Sequence, residues 1–213
     1  MKAFIYVGGS IYADNITEHP KSDDLCIAAD VGADNARLLG DTPDIIVGDF
    51  DSARLDDLKK LFPKAEITVV PAEKDFTDSE LAIETAMAKG ATEIVIIGGL
   101  DGRLDHTLTN LSLVERLAKS GVYATITSGR NRVRYIENTS TLIPRSHFKY
   151  LSLIPRTEKI KGVTILGCKY PLENANLTKA SQGLTVSNEI TENCAFIAVK
   201  KGGLLIIESS DSH

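Results

Sequence analysis

An α/β fold is predicted, with a parallel sheet flanked by helices followed by a smaller antiparallel β-sandwich. Two observations predict it. Strand-like and helix-like patterns alternate up to about residue 128, as they do where helices join parallel strands. Beyond that point helical periodicity stops, and short apolar runs are separated by Gly, Pro, Asn and Ser, the texture of antiparallel strands and turns. The expected domains are 1–128, an α/β domain built on a Rossmann-like parallel sheet, and 129–213, the sandwich.

In the first domain the strand candidates are 3–7, 25–29, 45–47, 67–70, 94–97 and 122–127. They are short, β-branched and bounded by Gly, Pro or Asp, as buried parallel strands are. Thr77 is a candidate helix N-cap, and Glu80 three residues later completes a capping box; Gly90 closes that helix. A second helix is predicted from about 104 to 119 and stops at Gly121. Its Leu104, Leu108 and Leu111 are spaced i, i+4, i+7 and are expected to face the sheet. In the second domain the strand candidates are 133–136, 150–154, 163–166, 184–186, 196–199 and 204–207, and 208–213 reads as a frayed end.

Composition narrows the function. Hydrophobic residues at 43% and charged residues at 25% mark ordinary globular material. The net charge of −5 argues against nucleic acid or an anionic membrane as the main partner. No apolar run approaches the ~20 residues of a membrane span. The opening residues lead into Gly8-Gly9 and read as a first strand, not a signal peptide. Cys26, Cys168 and Cys194 have no metal-ligand spacing, so reduced, mostly buried thiols in a cytoplasm are expected.

Acidic groups recur where the predicted strands run out. Asp30 follows the second, Asp49 and Asp51 the third, Asp75 and Asp78 the fourth, and Asp101 and Asp105 the fifth. Ligands of open parallel sheets bind at the carboxyl ends of the strands, so these groups are expected to converge on one edge. Crowded carboxylates repel unless a cation joins them. A hard divalent ion such as Mg²⁺, carrying phosphates, is the candidate.

Individual motifs carry both a chemical and a plainer reading. Gly48-Asp49-Phe50-Asp51-Ser52 offers two carboxylates at i and i+2, which point the same way in an extended segment; alternatively Asp51 or Ser52 caps the next helix. In Lys74-Asp75-Phe76-Thr77-Asp78, Asp78 falls in a first helical turn, where the dipole favours negative charge, while Lys74 suits a transferred phosphate. Gly98-Gly99-Leu100-Asp101-Gly102-Arg103 turns a strand into a helix and exposes N–H groups to anions. Arg103, His106 and Asn110 share a helical face opposite the leucines, either as phosphate contacts or as a solvated face. There is no Walker-A sequence, so a nucleotide has to be held by carboxylates, metal and glycine turns. Ser187-Asn188-Glu189 is either a ligand-orienting group or a turn.

Assembled in order, these motifs resemble the thiamine pyrophosphokinases (thiamine diphosphokinases) of bacterial type. The resemblance rests on Ala29-Asp30-Val31-Gly32-Ala33-Asp34, Pro43-Asp44, the Gly48–Ser52 and Lys74–Asp78 motifs, Gly102-Arg103-Leu104-Asp105-His106 with Asn110, and Ser187-Asn188-Glu189. Two departures stand out: Val31 replaces a usual glycine, and Leu100-Asp101 occupy a turn usually made of smaller residues.

The resemblance implies transfer of diphosphate from ATP to the hydroxyl of thiamine, with Mg²⁺ as cofactor. It places Asp49, Asp51 and Asp78 on the metal, and Asp75, Lys74 and Asp51 among the catalytic groups. Asp30, Gly32, Arg103, Asp105, His106 and Asn110 fall to the nucleotide, and Ser187 and Asn188 to thiamine. It further implies a cytoplasmic homodimer with the site near the subunit interface. A pyrophosphokinase for a pterin-type alcohol, a metal-dependent phosphohydrolase and a non-enzymatic sensor are the rival readings.

Overall fold

The computed structural model describes residues 1–71 and 76–211, the side chains of 181 and 182 excepted. The chain forms two units: Met1–Leu113 with Ser120–Gly129, and Val114–Lys119 with Arg130–His213.

In the first unit, strands β1 (Lys2–Tyr6), β2 (Leu25–Ala29), β3 (Ile45–Gly48), β4 (Glu66–Val69), β5 (Glu93–Ile97) and β6 (Tyr123–Thr127) lie in the order β4-β3-β2-β1-β5-β6. All neighbours are parallel. Among the described residues four α-helices lie between them: α1 (Gly32–Leu39), α2 (Ser52–Leu61), α3 (Asp78–Ala88) and α4 (Leu104–Lys119), whose last six residues belong to the second unit. The inner strand runs are apolar because helices cover the sheet, whereas β4 at its edge is mostly exposed. Phe4, Tyr6, Ala28 and Ile46 pack against Ala33 and Ala36 of α1 and Leu58 of α2. The small residues of α1 let it approach the sheet closely. At Gly32 a Cβ would stand 2.1 Å from the Tyr6 carbonyl oxygen.

Strand order reverses at β1, which pairs with β2 on one side and β5 on the other. That reversal opens a crevice at the carboxyl ends of β1 and β5, the place where sheets of this kind bind ligands.

The expected capping box is present at α3: Thr77 accepts from the Glu80 amide, and the Glu80 carboxylate accepts from the Thr77 amide. Helix α4 has the expected bounds but not the expected rotation. Leu104 and Leu108 are 70% and 53% exposed, and the buried face carries Asn110, Leu113, Val114 and Leu117. Leu113, Val114 and Leu117 form a second apolar stripe, and on the same face the Asn110 side chain donates to the Gly99 carbonyl at 2.9 Å.

The second unit holds β7 (Asn131–Glu137), β8 (Ser140–Pro144), β9 (Tyr150–Pro155), β10 (Lys159–Leu166), β11 (Leu172–Thr178), β12 (Cys194–Ala198) and β13 (Gly203–Ser209). Strands β7, β13 and β9 pair antiparallel in that order, and β11, β10, β12 and β8 form a four-stranded antiparallel sheet. Their inner faces share one core, with Leu151, Leu153, Leu204 and Ile206 from the first set against Ile143, Ile160, Val163 and Ile197 from the second. This is the expected sandwich. Residues 184–186 are not a strand. A 3-10 helix runs Lys179–Thr185, and Leu184 is 74% exposed. Cys26 and Cys168 are buried free thiols, and burial pushes both to higher pKa, Cys168 to about 11.

Candidate active site

Each acidic group reaches the sheet edge by a different local device. Asp30 ends β2 in the left-handed region, with φ 47°, and its amide donates to the Val47 carbonyl at 2.8 Å. Asp and Asn are among the few side chains that accept this conformation. Asp49 follows β3 and is exposed. Asp78 opens α3, held there by the capping box. The three side chains each bring an oxygen within 4.8 Å of the others. Asp51 is not in this group. It is the N-cap of α2 and accepts from the Arg54 amide at 2.8 Å. Asp30, which the resemblance gives to the nucleotide, is the third member of the group. Lys74 and Asp75 lie outside the described residues.

The cluster is electrostatically uncomfortable. Burial, and then the charges of Asp78 and Asp49, raise the Asp30 carboxyl above the usual range; the Val31 amide and Arg54 act against this. Arg54 is itself tied to Asp34 at 2.8 Å. Three hard oxygen donors, crowded and under-compensated, fit a divalent cation of the Mg²⁺ class.

A raised carboxyl destabilises the metal-free fold once it ionises, so stability is lost as pH rises from the ordinary carboxylate range through the folded value. Asp30→Asn keeps the backbone and removes the charge. In chelator, its stability relative to wild type is expected to grow as pH is raised from about 4 to 7. Thermal unfolding across that range checks this, and a flat difference would remove Asp30 from the repelling group.

Beside the cluster lies a cavity of about 310 Å³. Its walls are Val7, Gly8 and Gly9 after β1; Gly99, Asp101, Gly102 and Arg103 after β5; His106 and Asn110 of α4; and Val31 and Ser79, the neighbours of Asp30 and Asp78. It therefore occupies the crevice at the strand-order reversal, and its volume is that of small-molecule sites. A smaller cavity of about 140 Å³ is lined by Thr77, Asp105 and Thr109, with Ser79, His106 and Asn110 common to both.

Two amides hold the glycine turns. Asn110 bonds Gly99, and Asn35 donates to the carbonyls of Val7 at 2.7 Å and Gly9 at 3.0 Å. Gly99 has φ +72°, and a Cβ there would meet the Asn110 amide nitrogen at 2.5 Å. Asn35 and Ser79 escaped the sequence reading. The only signal for either was its place in the first turn of a helix that begins at the sheet edge.

Arg103 and Asp105 pair through two bonds, at 3.2 and 2.6 Å, which holds Asp105 below and Arg103 above their usual pKa. Gly32 does not line the cavity; it is buried under Tyr6.

In the second unit, Ser187 is exposed with φ 60°, and its amide donates to the Ser152 hydroxyl. Asn188 is buried and hydrogen-bonded. Its side chain accepts from the amides of Tyr170 and Glu189 and donates to the Tyr170 carbonyl at 2.8 Å. It fixes the backbone around Tyr170, a residue 60% exposed.

Comparison with known proteins settles the family. The model of the thiamin pyrophosphokinase catalytic domain matches residues 17–126, and that of the vitamin B1 binding domain matches 139–204. The chain is 32% identical over 199 residues to thiamine pyrophosphokinase of Bacillus subtilis, covering 92% of each. This chain belongs to the thiamin pyrophosphokinase family.

A crystal structure of the Bacillus subtilis enzyme superposes with a TM-score of 0.88 at 28% identity over the full length of both chains. Thiamin pyrophosphokinase from Candida albicans, at 16% identity and TM-score 0.78 over 98% of this chain and 89% of its own, shares the fold. The carboxylate cluster lies within the stretch matched by the family's catalytic domain, and Ser187 and Asn188 within the stretch matched by its vitamin B1 binding domain.

Proposed function

We propose that this chain forms thiamine diphosphate and AMP from thiamine and ATP with Mg²⁺, as a cytoplasmic homodimer whose site lies near the subunit interface. Thiamine pyrophosphokinase activity follows from membership of the family and from a relative of that name matched over nearly the whole chain. The observation that carries the chemistry is the convergence of Asp30, Asp49 and Asp78 beside a glycine-lined cavity.

Asp30, Asp49 and Asp78 would hold the metal. Bound there, Mg²⁺ supplies charge neutralisation for a triphosphate. The chain's own groups do the positioning. Gly8-Gly9 and Gly99 let a nucleotide approach the backbone, with Asn35 and Asn110 fixing the turns. Arg103 exchanges Asp105 for phosphate oxygens, since its fork suits either anion.

In the reaction the hydroxyl oxygen of thiamine bonds to the β-phosphorus, the bond between that phosphorus and the oxygen it shares with the α-phosphorus breaks, and AMP leaves with that oxygen. We assign the hydroxyl proton to Asp75 and the charge of the transferred group to Lys74, residues that precede the capped start of α3. Ser187 and Asn188 are assigned to thiamine, Asn188 acting through the backbone it fixes.

Purified protein incubated with thiamine, ATP and Mg²⁺ is expected to give equal amounts of AMP and thiamine diphosphate, and neither when the metal is chelated. Phosphate release independent of thiamine would replace this reading with a hydrolase. Transfer to a pterin-type alcohol in preference to thiamine would change the acceptor.

A further inference from the structure

One wall of the cavity does not suit a phosphate. Asp101 stands on the turn between β5 and α4, half-buried, two residues before Arg103. The nearby guanidinium is taken by Asp105. Among the described residues the Asp101 carboxylate has no ion pair and no side-chain hydrogen bond. An ionised carboxylate only accepts hydrogen bonds, so whatever meets it must donate, and a phosphate facing it would be repelled.

A nucleoside triphosphate has two donor-bearing regions, the ribose hydroxyls and the amino groups of the base. The vicinal diol presents two adjacent O–H groups to the two oxygens of one carboxylate. The amino edge of adenine alternates a donor with a ring-nitrogen lone pair, which would oppose the second oxygen. The diol is the better match, and an acidic side chain beside a glycine turn is a known way to hold ribose at the end of a parallel sheet.

Val31 and Ser79 adjoin the metal-type cluster, and Asp101 is on the separate β5–α4 turn with Arg103. A triphosphate held at the cluster and met by Arg103 leaves the sugar for Asp101, which satisfies both charges of that turn.

We infer that Asp101 recognises the ribose 2′- and 3′-hydroxyls of the nucleotide and makes this chain selective for ribonucleotides. The inference rests on the ATP-dependent reaction proposed above. It concerns a specificity contact and gives Asp101 no part in the chemical step.

The test compares kcat/KM for ATP, 2′-deoxy-ATP, 3′-deoxy-ATP and GTP in wild type, Asp101→Ala and Asp101→Asn, with thiamine and Mg²⁺ saturating. Wild type is expected to prefer ATP over either deoxynucleotide by roughly tenfold or more, the scale of a hydrogen bond to a charged group. Asp101→Ala should bring that ratio close to unity, mainly through KM, with the ATP-to-GTP ratio little changed. Asp101→Asn should fall between, since its amide keeps one acceptor oxygen.

If wild type makes thiamine diphosphate equally well from ATP and both deoxynucleotides, the inference is overturned while the reaction stands. That comparison needs no variant to fold. A ratio unaltered in Asp101→Ala also overturns it. So does a shift confined to ATP against GTP, which would assign the carboxylate to the base. No product from any nucleotide would sink the reaction and the inference together.

Discussion

Asp49→Asn is expected to lower kcat for thiamine diphosphate formation by about 10²–10³-fold, the range seen when one preorganised electrostatic contact to the reacting groups is removed. In barrier terms that is about 3–4 kcal/mol. The amide is nearly isosteric, so the loss reads charge at the cluster and not shape. The same change removes one of the charges that raise the Asp30 carboxyl. Metal-free protein should therefore unfold no lower than wild type while turnover collapses. Steady-state kinetics and thermal unfolding in chelator, run on the same preparation, check both halves. Near-normal turnover would show that the three carboxylates do not serve the reaction. Asp51→Asn makes a useful companion. Asn caps helices as well as Asp, so any fall in its turnover reports contact with the reacting groups and not loss of the α2 cap.

Gly32→Ala should destabilise the fold by about 3 kcal/mol or more, the upper range for overpacking a rigid interior. For a chain of this length the midpoint of thermal unfolding would fall by about 6–12 °C. The added carbon would stand 2.1 Å from the Tyr6 carbonyl oxygen and 2.8 Å from the Val7 Cα. Both are backbone atoms of or beside the central strand, so no side-chain rotation relieves the contact. Helix α1 must lift from β1, and Asn35 in the same first turn then loses its grip on Val7 and Gly9. Activity should fall with stability. An unchanged midpoint would mean that the α1–β1 approach is looser than described.

The first unit was legible because its inner strands are buried and so read as apolar runs. The edge strands of the second unit were not. Ser140–Pro144 and Leu172–Thr178 flank the four-stranded sheet, and strands at a sheet edge need little apolar character on their outer side. Leu184 and Val186 misled for the opposite reason, being apolar yet exposed. Leucine spacing on α4 marked a helix correctly and its buried face incorrectly, because Leu113, Val114 and Leu117 form a second apolar stripe that also carries the Asn110 hydrogen bond.

The acidic residues could be found from strand ends alone. Their partition could not, since Asp49 and Asp51 differ only in what folds around them. A helix start claims Asp51, and the left-handed turn at Asp30 delivers a carboxylate from another strand. Asn35 carried no pattern; it matters because two glycine turns happen to pass within its reach.

The placement of β1 at the middle of its sheet also has a bearing on how the chain is made. Its second edge is sealed only by β5, roughly 90 residues downstream. At ordinary ribosomal speeds of about 5–20 residues per second, Ala3–Tyr6 wait about 4.5–18 s with that edge open. All four are buried in the finished protein. Until β5 emerges, this segment is an unguarded template for strand pairing with other chains. Shielding of that open edge during synthesis, as by a chaperone, is expected to raise the share of chain that reaches the native sheet.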